Sequence, residues 1–248
     1  MLITLETLVN KESPVEALKK FVRWVNAGYW TAHGDAFDVG NTTADSIAAF
    51  IQNGKPSALC TPQSNGNGAL MRIGPLALFI DRIHTAPEKV HEICRNWSSL
   101  THGHEISVFC CTFYTIMLGI LIEDALSNKA DNWSILDAYK FTCAMTEKFA
   151  PPECARLVSM KIHTLPESEI QSSGYVVHTL EAAIWCAINS SSYSEGVLKA
   201  VNLGEDTDTT GRVCGGILGV RYGRRGIPFE WWNSLARLPD INALMEKI

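Results

Sequence analysis

His104-Glu105-Ile106-Ser107-Val108-Phe109-Cys110-Cys111-Thr112-Phe113-Tyr114-Thr115-Ile116-Met117-Leu118-Gly119-Ile120-Leu121-Ile122-Glu123-Asp124-Ala125-Leu126 is the stretch on which the fold turns. Between Ile106 and Ile122 only Ser107, Thr112, Tyr114 and Thr115 are polar, and Glu105 and Glu123-Asp124 close the two ends. The run is too long for an ordinary strand and reaches only the lower end of bilayer-spanning length. A helix that is apolar all round belongs in the centre of a protein. The stretch is therefore read as a buried core helix around which the rest must pack, with no membrane partner.

The segments on either side read as helices too. Ser13-Pro14-Val15-Glu16 has the form of a capping box with proline at the first helical position, and Leu18, Phe21, Val22 and Val25 follow at helical spacing up to Gly28. Further helices are predicted over residues 43–51, 87–96, 133–149, 174–189, 194–203 and 209–222, with a short one from Pro239 onward. No run alternates with period two between hairpin turns. The fold class is all-α, one compact multi-helix domain over residues 1–248, with its chemistry on the loops between helices.

A chain of 248 residues can bury a substantial core. The net charge is −5 and no basic block occurs, which argues against nucleic acid as a partner. The eight cysteines form no CxxC pair and several sit in apolar helical patterns, as reduced cysteines do in a cytoplasmic protein. Met1 to Glu6 does not read as a signal peptide.

Four loops carry polar residues suited to chemistry. Gly204-Glu205-Asp206-Thr207-Asp208-Thr209-Thr210-Gly211 crowds hard oxygen donors at a probable helix start. Such donors suit a cation such as Mg²⁺, although Asp and Thr are also ordinary N-cap residues. Asp38, in Phe37-Asp38-Val39-Gly40-Asn41-Thr42-Thr43, is a general base, a ribose-hydroxyl acceptor or a turn residue. Ser64-Asn65-Gly66-Asn67-Gly68 alternates Gly and Asn, which permits left-handed backbone and successive N–H groups facing one concavity, as in an anion nest for a diphosphate; a flexible surface loop is the alternative. Thr101-His102-Gly103-His104 pairs two histidines without a zinc-spaced partner, so that a helix-start histidine touching a ligand, or a structural one, is expected.

These loops, together with Gly174-Tyr175-Val176-Val177-His178-Thr179-Leu180-Glu181-Ala182-Ala183, occur in the order seen in the ADP-ribosylglycohydrolase family, the family of the dinitrogenase reductase-activating glycohydrolase. The resemblance runs from about Phe21 to the C-terminus. It implies an all-α fold, hydrolysis of the glycosidic bond between ADP-ribose and a protein side chain, and a site for Mg²⁺ (or Mn²⁺). That site is binuclear in the family, and holds a single ion if this chain's ligands act alone. By position, Asp206, Asp208 and Thr209 match metal ligands. Asp38 matches an aspartate near the substrate ribose and is the catalytic candidate. Ser64, Asn65, Gly66, Asn67 and Gly68 match the diphosphate and ribose loop, and His102 and Tyr175 match residues beside the ADP-ribose. Glu205 stands where a second glycine is common, which is expected to narrow that loop.

The resemblance also implies metal ligands from a Gly-Asp-Ala-Leu-Gly-like loop with a nearby Glu and from a Thr-Asp-Asp-Thr motif. Met1 to Asn10 holds Thr4, Glu6 and Thr7 but no Asp-Asp pair, and neither Glu12, Glu16 nor Asp35 stands in such a motif. The expectation is a domain short at its N-terminus, with part of the metal site missing and slow turnover. Two alternatives stand beside an active hydrolase: a non-catalytic ADP-ribose-binding module, and one fragment of a split glycohydrolase.

Overall fold

The computed structural model describes residues 1–81, 85–127 and 133–248. Thirteen α-helices occur among them, with no strand; two isolated bridges join Leu59 to His102 and Gly66 to Tyr175. The apolar stretch forms α6, Glu105–Leu126, and 83% of its most apolar window is buried inside the protein. It is the core helix that its composition called for. It is also long and apolar enough to cross a membrane by length and composition alone.

Around it pack α5 (Pro87–Ser98), α7 (Ile135–Thr146), α9 (Val176–Ile188) and α11 (Thr207–Gly226), while α10 (Tyr193–Asn202) lies on α9 and α11. Phe109, Phe113, Ile116 and Met117 of α6 are fully buried. Each such side chain is worth roughly 1.5–3 kcal/mol relative to an exposed one. The two helices interlock: Tyr114 Oη donates to Val213 O at 3.0 Å, and a Cβ at Gly216 would stand 2.1 Å from Tyr114 Oη. Glycine at this position of α11 makes room for the buried phenol of α6.

Helix starts follow capping chemistry, with one reversal. Pro14–Ala27 is α2, ending at Gly28, and Asn41–Asn53 is α3. Ser13 precedes α2 but makes no side-chain cap: the Glu16 N–H donates to Ser13 O at 3.0 Å, and the Glu16 carboxylate meets Lys19 at 2.6 Å instead of closing the box. The box forms at Ser134 and Asp137, ahead of α7: Asp137 N donates to Ser134 Oγ and Ser134 N to Asp137 Oδ2, both at 3.1 Å. That cap moves the predicted start from residue 133 to Ile135, and the last turn of the predicted helix becomes a 3-10 segment, Glu147–Phe149. The sequence reading does not include α1 (Leu2–Val9), which has no side-chain cap, or the short α4 (Leu70–Ile73), α8 (Ala155–Val158) and α12 (Phe229–Asn233). Leu238–Met245 is α13.

Candidate functional site

The predicted loops meet at one end of the bundle, and Asn67 ties them together. Its side-chain amide donates to Asp206 Oδ2 at 2.7 Å and to Thr179 Oγ1 at 2.8 Å, while its backbone N–H donates to Gly174 O at 3.1 Å. Asn65 does the same on the other side. Its amide nitrogen lies 3.0 Å from His104 Nδ1, its amide oxygen accepts from Ser107 Oγ at 2.9 Å, and its carbonyl accepts from Val176 N at 3.0 Å. The loop Ser64–Gly68 is thereby pinned to the N-termini of α6, α9 and α11. The N-terminus of α3 completes the ring, because Thr43 Oγ1 lies 3.0 Å from where a Gly68 Cβ would be. Four helix N-termini, the positive ends of their dipoles, thus meet around one loop.

The loop differs from the expected nest. Ser64 and Asn65 are almost fully buried and Asn67 is 9% exposed, which excludes a flexible surface loop. Gly66 and Gly68 do not have positive φ, and the backbone N–H groups of Ser64 and Asn67 already donate to Thr61 O and Gly174 O. Gly68 is needed for clearance. A Cβ there would lie 3.0 Å from both His102 Cε1 and Thr43 Oγ1, whereas one at Gly66 would make an ordinary contact with His102 Nε2 at 3.6 Å.

His102 is 2% exposed and its imidazole faces this glycine pair. Burial, then the nearby Arg72 charge, pull its pKa down to about 3. The folded chain keeps the ring neutral, whereas the unfolded chain protonates it near 6.5. The stability this contributes is whole above about pH 6.5 and is lost as pH falls toward 3. Urea melts at pH 7 and pH 5 should show the parent losing about 2 kcal/mol more than His102→Gln over that interval. Equal losses in the two proteins would contradict a neutral buried His102.

His104 is the N-cap of α6: Nδ1 accepts from Ile106 N at 3.4 Å, so this histidine is structural. Tyr175 precedes the first turn of α9 and stacks edge-on against His178, with centroids 5.0 Å apart. Burial pushes the Tyr175 phenol up to about 12, which keeps it protonated.

Asp206 is the N-cap of α11, accepting from Thr209 N at 3.4 Å, and Asp208 Oδ1 accepts from the same N–H at 2.8 Å. Capping therefore takes one lone pair from each carboxylate, and others remain. A Cβ at Gly174 would lie 3.4 Å from Asp206 Oδ2, so the glycine keeps that oxygen approachable. Two carboxylates and the Thr209 hydroxyl suit a hard divalent cation in kind. They are few for one: among the described residues no group of three or more His, Cys, Asp or Glu gathers as a metal site. Glu205 takes φ +52°, a left-handed backbone that costs a non-glycine residue roughly 1–2 kcal/mol.

Asp38 is exposed, has φ +48°, and stands two residues before Gly40, the N-cap of α3. Of the predicted residues, the structure brings together Ser64 to Gly68, His102, Tyr175 and Asp206. Thr209 is buried in the first turn of α11, whereas Asp38 and Asp208 remain exposed on segments leading into α3 and α11. Thr43, Thr179, Ser107 and Arg72 also belong to this assembly. The sequence reading does not single them out, because a lone Thr, Ser or Arg inside a helical pattern carries no distinctive spacing.

The family model described as ADP-ribosylglycohydrolase matches residues 1–248. The ADP-ribosylarginine hydrolase Tri1 of Pseudomonas putida (strain GB-1) is 29% identical over 234 residues, covering 92% of this chain and 57% of that protein. The Tri1 of Serratia proteamaculans (strain 568) is 29% identical over 231 residues, covering 93% of this chain and 59% of its own length. A solved structure titled ADP-ribosylglycohydrolase-related protein complex superposes with a TM-score of 0.75 at 27% identity, covering 99% of this chain and 77% of that one. The chain thus spans less than two thirds of the length of these curated relatives.

Proposed function

The chain belongs to the ADP-ribosylglycohydrolase family, and from that premise we propose that it hydrolyses the glycosidic bond between ADP-ribose and a protein side chain. Arginine is the first acceptor to test, because two relatives are named ADP-ribosylarginine hydrolases. The observation that carries the reading is the Asn67 bridge, which joins the nucleotide-type loop to the carboxylate of Asp206.

Each residue then has a physical task. The field of the four helix N-termini would offset the negative diphosphate lying against Ser64–Gly68. His102 would donate a hydrogen bond to an ADP-ribose oxygen, and the Tyr175 ring would flank the ribose or adenine. Exposed Asp38 would accept a proton from the attacking water or hold a ribose hydroxyl. The carboxylates would also oppose positive charge growing on the ribose in an oxocarbenium-like transition state. Asp206, Asp208 and Thr209 would hold Mg²⁺ (or Mn²⁺), whose charge would polarise the ribose hydroxyls. The eight free cysteines suit a reducing compartment such as the cytoplasm.

A second reading is ADP-ribose binding without turnover, favoured by the small number of carboxylates near Asp206. Incubating the chain with arginine-linked and serine-linked ADP-ribosyl proteins, with Mg²⁺ or with chelator, separates the two. Chelator-sensitive release of ADP-ribose from the arginine-linked protein is the expected result. A melting-temperature rise with ADP-ribose but no release from either substrate would replace hydrolysis with binding.

A further inference from the structure

Arg72 is 6% exposed, and among the described residues its guanidinium meets only neutral acceptors. It donates to Trp97 O at 2.9 Å, Ser98 O at 3.2 Å and Thr101 Oγ1 at 2.8 Å, and lies over the ring of Phe21. A buried cation without a carboxylate is costly to keep, so its position asks for a reason. Thr101 is fully buried, and its Oγ1 lies 2.8 Å from His102 Nδ1. If Nδ1 carried the proton, that oxygen would accept from both Arg72 and His102, and its own hydrogen would have no acceptor. If Nδ1 is bare, Thr101 accepts from Arg72 and donates to His102, and the buried hydroxyl is satisfied as both acceptor and donor. The imidazole proton then resides on Nε2, the edge that faces Gly66 and Gly68.

We propose that Arg72 and Thr101 are positioning residues for His102. Their hydrogen-bond relay fixes the imidazole tautomer that presents Nε2–H as a donor to an acceptor oxygen of the ligand against the Gly66–Gly68 pair. The relay sets direction as well as charge. Arg72 cannot accept a proton back, so Thr101 has one orientation, and the positive guanidinium opposes a second proton on the ring. The identity of the ligand as ADP-ribose rests on the reading given above, whereas the tautomer does not.

The test is long-range ¹H–¹⁵N NMR of histidine-labelled chain, with calorimetry of ADP-ribose binding on the same proteins. The parent should show His102 as the single Nε2–H tautomer without ligand. Thr101→Val, which keeps the shape and deletes the hydroxyl, should release the ring into a tautomer mixture and raise the ADP-ribose Kd about tenfold. Thr101→Ser, which keeps the hydroxyl, should restore both. A parent ring protonated on Nδ1, or a folded Thr101→Val protein that retains either the tautomer or the parent Kd, overturns the proposal. The parent spectrum alone decides the tautomer if Thr101→Val does not fold. Absence of ADP-ribose binding to the parent would sink the ligand assignment, and the free-protein tautomer would still judge the relay.

Discussion

Gly68→Val should abolish ADP-ribose binding, with a loss of at least about a hundredfold in affinity by calorimetry. The missing side chain at Gly68 leaves room for His102 and Thr43: an added Cβ alone would meet His102 Cε1 and Thr43 Oγ1 at 3.0 Å. Valine adds two further methyl groups, so His102 or the start of α3 must move. Either movement displaces a group beside the loop against which the ligand is placed. Overpacking of this kind costs roughly 1–3 kcal/mol of stability as well, so the variant should melt a few degrees lower and still fold. Binding that survives in a folded Gly68→Val protein would mean that the ligand does not lie against this loop.

Asp206→Asn should lower chelator-sensitive hydrolysis at least about a thousandfold and cost about 1 kcal/mol of stability. The amide oxygen can cap α11 or accept from Asn67 but not both, because the amide NH₂ cannot accept, so only one of the hydrogen bonds at 3.4 and 2.7 Å has a replacement. The charge, which attracts a cation and stabilises a developing positive ribose, has none. Asp206→Ala should lose the rate and also about 1–2 kcal/mol of stability, because it deletes the cap and strands the Asn67 amide. A normal rate in Asp206→Asn would reduce this residue to a helix cap.

The fold was legible where one physical cause dominated. The run from Ile106 to Ile122 reads as a long helix, since no strand is that long, and its lower-end spanning length with acidic residues at both ends favours burial in a core. It was illegible where neighbours compete. Ser13 and Glu16 have the spacing of a capping box, yet Lys19 takes the carboxylate; Ser134 and Asp137, less conspicuous with a shorter acid, close theirs.

The candidate site shows the same division. Each loop stood out by composition, but composition does not say which loops meet. The bond from Asn67 to Asp206 spans 139 residues of sequence and is set by how α9 and α11 pack on α6. Glycine has two uses, left-handed backbone and clearance, and the alternation in Ser64–Gly68 is compatible with both. The φ values rule out left-handed backbone at both glycines, and the crowding by His102 and Thr43 decides for clearance at Gly68. Arg72 reads as an ordinary basic residue after a glycine-rich loop, and only its burial against Thr101 connects it to His102.

Crystals of the 248-residue chain grown with ADP-ribose test the central claim most directly. The account places the diphosphate against Ser64–Gly68 inside the ring of four helix N-termini, with a ligand oxygen in hydrogen-bond reach of His102 Nε2. Ligand density elsewhere on the protein, with only water against this loop, would contradict it.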